Sequence, residues 1–87
     1  MEDGVDLMQI TIRLLASYRR YLPEDHDAQA GYVREVTPGS RVGDLLGELP
    51  IPAGDAVTHL VNGRHAGREQ VLQAGDVVAL FPAMGGG

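Results

Sequence analysis

The chain has 87 residues, 44% of them apolar and 22% charged, enough for one small core and unlike a disordered or fibrous chain. It contains no cysteine, which excludes disulfides, zinc–thiolate sites, iron–sulfur clusters and a cysteine nucleophile. Twelve acids face seven bases for a net charge of −5, a surface that repels phosphate backbones, and every base is arginine, which excludes a Walker-type phosphate loop and Schiff-base chemistry.

Near the start, Glu2, Asp3 and Asp6 are unlike a signal peptide, and no apolar run approaches the ~20 residues of a membrane span. A cytoplasmic protein with neither membrane nor nucleic acid as partner is the expectation. Residues 7–15 alternate, with Met8, Ile10, Ile12 and Leu14 on one face, as a half-buried strand requires. From Ala16 the period changes: Tyr18, Tyr21 and Leu22 predict one or two helical turns, ended by Pro23. Residues 24–31 are small and polar, a loop. A second strand is predicted over Tyr32–Thr37, with Tyr32, Arg34 and Val36 on one side.

Pro38-Gly39 marks a turn, and Ser40 has the chemistry of a helix N-cap. Val42, Leu45, Leu46 and Leu49 then follow helical spacing, although Gly43 and Gly47 each weaken a helix by up to ~1 kcal/mol. Pro50 and Pro52 stop it. A third strand is predicted over Val57–Asn62, a hairpin turn at Asn62-Gly63 and a short edge strand over Arg68–Leu72. Ala74-Gly75-Asp76 turns into the apolar run 77–81, which reads as a central strand buried on both faces. Such a strand needs a neighbour on each side. Placing it parallel to the first strand, with the hairpin strands outside and the leucine-striped helix across one face, gives an α+β roll of the ubiquitin-like, β-grasp kind. Its sheet is mixed, of four or five strands, with a short helix after the first.

This organisation makes residues 1–81 one domain and 82–87 a tail. Pro82 has no N–H for a ladder, so pairing is expected to stop there. Fully extended, the tail reaches roughly 20 Å, and its glycines predict a mobile arm. A Gly-Gly end can thread a channel too narrow for other residues, and its α-carboxylate is ionised at neutral pH. It is therefore a nucleophile for a nucleotide phosphate held by another protein. The chain has no means of binding ATP itself.

Asn62-Gly63, the stretch from Ala74-Gly75-Asp76 to Phe81-Pro82 and the ending Gly86-Gly87 together resemble the MoaD/ThiS sulfur-carrier family. That family includes the small subunit of molybdopterin synthase and the thiamine-pathway sulfur carrier. The resemblance runs from Leu7 to Gly87. It implies a β-grasp protein whose last glycine, Gly87, is adenylated by an E1-like enzyme at the expense of ATP and converted to a thiocarboxylate that donates sulfur. The carrier itself would bind no cofactor and catalyse nothing alone. Gly86 and Gly87 would be the threading pair, with Pro82, Met84 and Gly85 as further partner-binding residues. Phe81, Leu15 and Leu60 match the family's apolar docking positions. The long stretch between the first two strands favours the molybdopterin branch, with the large synthase subunit as acceptor. Ala83 stands where proline is common and Gly85 adds a third glycine; neither departure identifies the pathway.

The same residues support plainer readings. Phe81, Leu15 and Leu60 could be core, since alternation alone does not say which face meets the helix. The cluster Glu24-Asp25-His26-Asp27 reads as a solvated loop, no metal site is expected, and His59, in phase with Val57 and Val61, reads as a structural residue. Two rival functions share the fold: a ubiquitin-like modifier attached to lysines of other proteins, and a non-covalent interaction module with an inert tail.

Overall fold

The computed structural model describes residues 6–22 and 31–83. Five strands form one mixed sheet in the order β2-β1-β5-β3-β4. Strand β1 (Met8–Leu14) leads directly into a 3₁₀ helix, Ala16–Tyr21, and β2 (Tyr32–Val36) returns antiparallel to β1 with Met8 opposite Val36. Helix α1 (Val42–Glu48) precedes β3 (Val57–Val61), which hairpins into the two-residue β4 (Arg64–His65). The last strand, β5 (Val77–Pro82), runs parallel to β1 from Thr11 opposite Val77 to Leu14 opposite Leu80. On its other side it is antiparallel to β3, from Val57 opposite Pro82 to Val61 opposite Val78. The expected α+β, β-grasp arrangement is present and β5 has a partner along both edges, but it is not buried on both faces: Val78 and Leu80 enter the core, whereas Val77 and Phe81 are half-buried on the other side.

One side of this sheet holds the core. Ile10, Ile12 and Leu14 of β1, Val36 of β2, Val61 of β3 and Val78 and Leu80 of β5 share a cluster of buried side chains with the predicted helix stripe, Val42, Leu45, Leu46 and Leu49. Each fully buried aliphatic in such a cluster contributes roughly 1.5–3 kcal/mol. Tyr18 of the 3₁₀ helix joins it, with Tyr21 and Leu22 against its edge. His59 stands on the core side as expected. Its Nδ1–H donates to the Ala66 carbonyl, and the Ala66 N–H returns a bond to the His59 carbonyl.

Three local expectations need correction. Ser40 does not cap α1; its hydroxyl donates to the Thr37 carbonyl at 2.6 Å and closes the preceding turn. Arg41 is the N-cap, and its backbone N–H is satisfied by the Asp44 carboxylate at 3.0 Å. The edge strand is Arg64–His65 rather than 68–72. The Asn62-Gly63 turn, with φ of 54° and 83°, has the twist that sends the chain straight back along β3. The 68–72 segment instead lies over the start of α1, where its carbonyls accept from Val42 and Gly43, with only one bridge, Arg41 to Val71.

The third correction concerns Pro82. Pairing does not stop before it: β5 includes it, and the Ala83 N–H donates to the Ala56 carbonyl at 2.9 Å. In an antiparallel ladder only alternate residues bond to a given neighbour. The Asn62 N–H bonds to the Val77 carbonyl, so residues 77, 79, 81 and 83 face β3, while 78, 80 and 82 face β1. Past Leu14 that side has nothing for Pro82 to bond, because the Leu15 carbonyl has turned to accept the Tyr18 N–H at 3.0 Å. The missing N–H falls where no acceptor waits.

Candidate functional site: the tail root and the open sheet face

Alternation along β5 separates two sets of side chains. Val78 and Leu80 enter the core, whereas Val77, Ala79 and Phe81 face the other side of the sheet. Cross-strand register puts Thr58 opposite Phe81 and Leu60 opposite Ala79 on that side. On β1 it holds Thr11 and Arg13, opposite Val77 and Ala79, and continues to Leu15. The sequence-predicted trio Leu15, Leu60 and Phe81 therefore shares one face. All three are half-buried and none belongs to the core cluster. Their reading as core is set aside on this ground.

No element among the described residues covers this face. It carries an apolar strip in which Val33 of β2 stands 59% exposed and Leu7 52%. Val33 and Val77 were not singled out from the sequence, although Val77 keeps step with Phe81, which was. Val77 is four residues before Phe81, and Val33 lies opposite Thr11.

Pro82 and Ala83 mark the root of the tail. They leave from the central strand, between the 3₁₀ helix and the segment before β3. Those flanks are tied together by the Tyr18 hydroxyl, which donates to the Asp55 carboxylate at 3.0 Å. Burial, the bond to Asp55 and the Asp55 charge push the Tyr18 pKa up to about 12 from 10.0. Met84, Gly85, Gly86 and Gly87 lie outside the described residues, as does the Glu24-Asp25-His26-Asp27 cluster. Among the described residues, no three His, Asp or Glu side chains come together to hold a metal ion. No described helix is long and apolar enough to cross a membrane.

The other motif, Gly75-Asp76 with Asn62-Gly63, has an architectural task. The Asp76 carboxylate accepts the Gln73 N–H at 2.8 Å and the Asn62 amide at 2.9 Å, and the Asn62 carbonyl oxygen accepts the Val77 N–H at 2.9 Å. The two motifs thereby fasten the β3–β4 turn to the first residue of β5. They fix the register of the strand that carries the tail.

Comparison with known proteins gives a consistent picture. The model of the ThiS family matches residues 12–87. No curated protein sequence matches the chain. Among solved structures, the solution structure of the Haloferax volcanii HVO 2177 protein is 28% identical with a TM-score of 0.70, covering 99% of this chain and 94% of that one. The small archaeal modifier SAMP1 of Haloferax volcanii is 25% identical with a TM-score of 0.64, over 91% of this chain and 99% of that one. A Pyrococcus furiosus protein assigned as molybdopterin converting factor, subunit 1, shares the fold at 24% identity and a TM-score of 0.69, over 88% of this chain and 99% of that one.

Proposed function

The chain belongs to the ThiS family of small sulfur carriers and ubiquitin-like proteins, and from that premise we propose that it is a sulfur carrier loaded at Gly87. The observation that carries the reading is the placement of the tail root. Pro82 and Ala83 leave the central strand of the sheet, beside a face that no described element covers and that bears Leu15, Leu60 and Phe81. A partner seated on that face would receive the tail in a fixed direction. Such positioning lowers the entropic cost of bringing a carboxylate to a reaction centre.

In the proposed cycle the Gly87 carboxylate oxygen attacks the α-phosphorus of ATP held by an E1-like enzyme. A new P–O bond forms, the bond to pyrophosphate breaks, and pyrophosphate leaves. Sulfide or an enzyme-bound persulfide then attacks the acyl carbon and AMP departs. With persulfide, a thiol reductant cleaves the S–S bond. Either route leaves a C-terminal thiocarboxylate. The carrier's contribution is docking and a side-chain-free tether formed by Gly85, Gly86 and Gly87, with Met84 at its base. ATP is the activating enzyme's substrate, and the carrier holds no cofactor.

The stretch between β1 and β2, with its 3₁₀ helix, favours the molybdopterin branch, with the large subunit of that synthase as acceptor. A second reading, attachment to lysines of other proteins, is favoured by the likeness to SAMP1. Deletion of Gly87 is expected to abolish ATP–pyrophosphate exchange by the adenylating enzyme of the same cell while leaving the circular dichroism spectrum unchanged. Full exchange with the truncated chain would refute loading at that residue. Intact mass of the protein from cells separates the two readings. Replacement of one tail oxygen by sulfur, localised by cleavage of the tail, supports the carrier; covalent adducts with other proteins support the modifier.

A further inference from the structure

Arg13 is the one arginine on the open face among the described strand residues, and the structure gives its guanidinium no partner there. It stands at the penultimate position of β1, opposite Ala79, on the side bearing Leu15, Leu60 and Phe81. Its Nε is buried from solvent and makes no hydrogen bond. The stem lies over Gly31, where an added Cβ would meet the Arg13 Cγ at 2.9 Å. Among the described residues, the nearest carboxylate on this face by register is Glu35, opposite Gln9. It stands four residues along β2 from Gly31, roughly 13 Å away at strand spacing. Of the other strand arginines, Arg34, whose Nε is likewise unbonded, is engaged with Glu48 at 2.9 Å on the opposite side, and Arg64 stands opposite the core residue Val61.

A buried, unbonded Nε–H is unfavourable in the free molecule. Seating a partner on the apolar strip would desolvate the rest of the guanidinium as well, and that becomes favourable only if the partner supplies an acceptor of opposite charge. The planar fork of arginine matches a carboxylate through two parallel bonds. Resting on the docking role proposed above, we infer that Arg13 is the charged anchor of this face, and that the adenylating partner presents an aspartate or glutamate carboxylate to it inside an apolar surround. The arrangement gives specificity, because an apolar partner without that carboxylate leaves a buried charge unpaired.

The test uses the full chain and the adenylating enzyme of the same cell, with ATP–pyrophosphate exchange read against carrier concentration. Arg13→Met is expected to raise KM at least about tenfold and Arg13→Glu further, with kcat unchanged and partial recovery in Arg13→Lys. Because the guanidinium has no partner in the described fold, the Tm of Arg13→Met should stay level or rise. Unchanged KM in Arg13→Glu, with normal exchange by the unaltered chain, overturns this inference and leaves the sulfur-carrier reading standing. A fall of several degrees in Tm for Arg13→Met also overturns it, since the charge would then be spent within the chain. Absence of exchange with the unaltered chain overturns both.

Discussion

At the scale of single residues, Gly31 is the position with least freedom. It enters β2 with φ of 81°, and a Cβ there would sit 2.5 Å from the Ile12 carbonyl oxygen. Two independent costs therefore fall on any substitution, a left-handed backbone and a collision with a strand that cannot move away. Gly31→Ala is expected to lower unfolding free energy by on the order of 3 kcal/mol, read from the urea midpoint at constant m. A loss below about 1 kcal/mol would mean that β2 begins with a different backbone. Nothing local marks this glycine in the sequence, where it looks like one more loop residue; its constraint comes from β1, nineteen positions earlier at Ile12.

At the scale of elements, the short helix after β1 was legible from Tyr18, Tyr21 and Leu22, but its 3₁₀ form and its anchor were not. Ala16, at φ of 54°, turns the chain out of β1, and the Tyr18–Asp55 bond then holds the turn against the segment before β3. This bond has a pH signature. With the Tyr18 pKa raised to about 12 in the fold, its contribution is complete below pH 10. It is lost as pH rises from 10 towards 12, because the unfolded chain releases the proton first. Tyr18→Phe is expected to flatten the decline in stability above pH 10 while costing about 1 kcal/mol at neutral pH. Some decline should remain, since burial also raises the pKa of Tyr32, opposed by the nearby Arg34 charge. An unchanged alkaline slope in Tyr18→Phe would show that this hydroxyl is not the group responsible. Urea titrations at neutral pH and at pH about 11 decide it.

At the scale of the whole molecule, the two faces of the sheet differ, one packed in the core and one open among the described residues, and β5 contributes adjacent residues to both. Leu80 is fully buried in the core, whereas Phe81 stands half-buried on the open side. Leu80→Ala should cost about 2–5 kcal/mol of stability, and Phe81→Ala only about 1 kcal/mol. For the adenylating partner the order should reverse, with Phe81→Ala weakening binding in a titration at a temperature where both variants remain folded. Equal losses of binding would assign Phe81 no separate role at the surface. The same division explains how a chain this small folds with an apolar strip that no described element covers: its stability is supplied by the cluster on the other side.

The sequence by itself determined the elements and their outline. Period-two alternation in β1 and the leucine stripe of α1 each report their own burial, Asn62-Gly63 reports the hairpin, and the apolar run of β5 marks the central strand, although only its Val78 and Leu80 side enters the core while Val77 and Phe81 stand half-buried on the other. It also placed the Gly-Asp and Asn-Gly motifs, although their task in fastening β5 became visible only with Asn62 bonded to Asp76. The tertiary structure alone decided which face of the sheet meets the helix, and hence that Leu15, Leu60, Phe81 and Arg13 stand together. It decided too that Arg64–His65 forms the edge and that Pro82 can remain in the ladder. The reason is physical: alternation specifies two faces without saying which is inside, and ladder parity and edge pairing depend on partners distant along the chain.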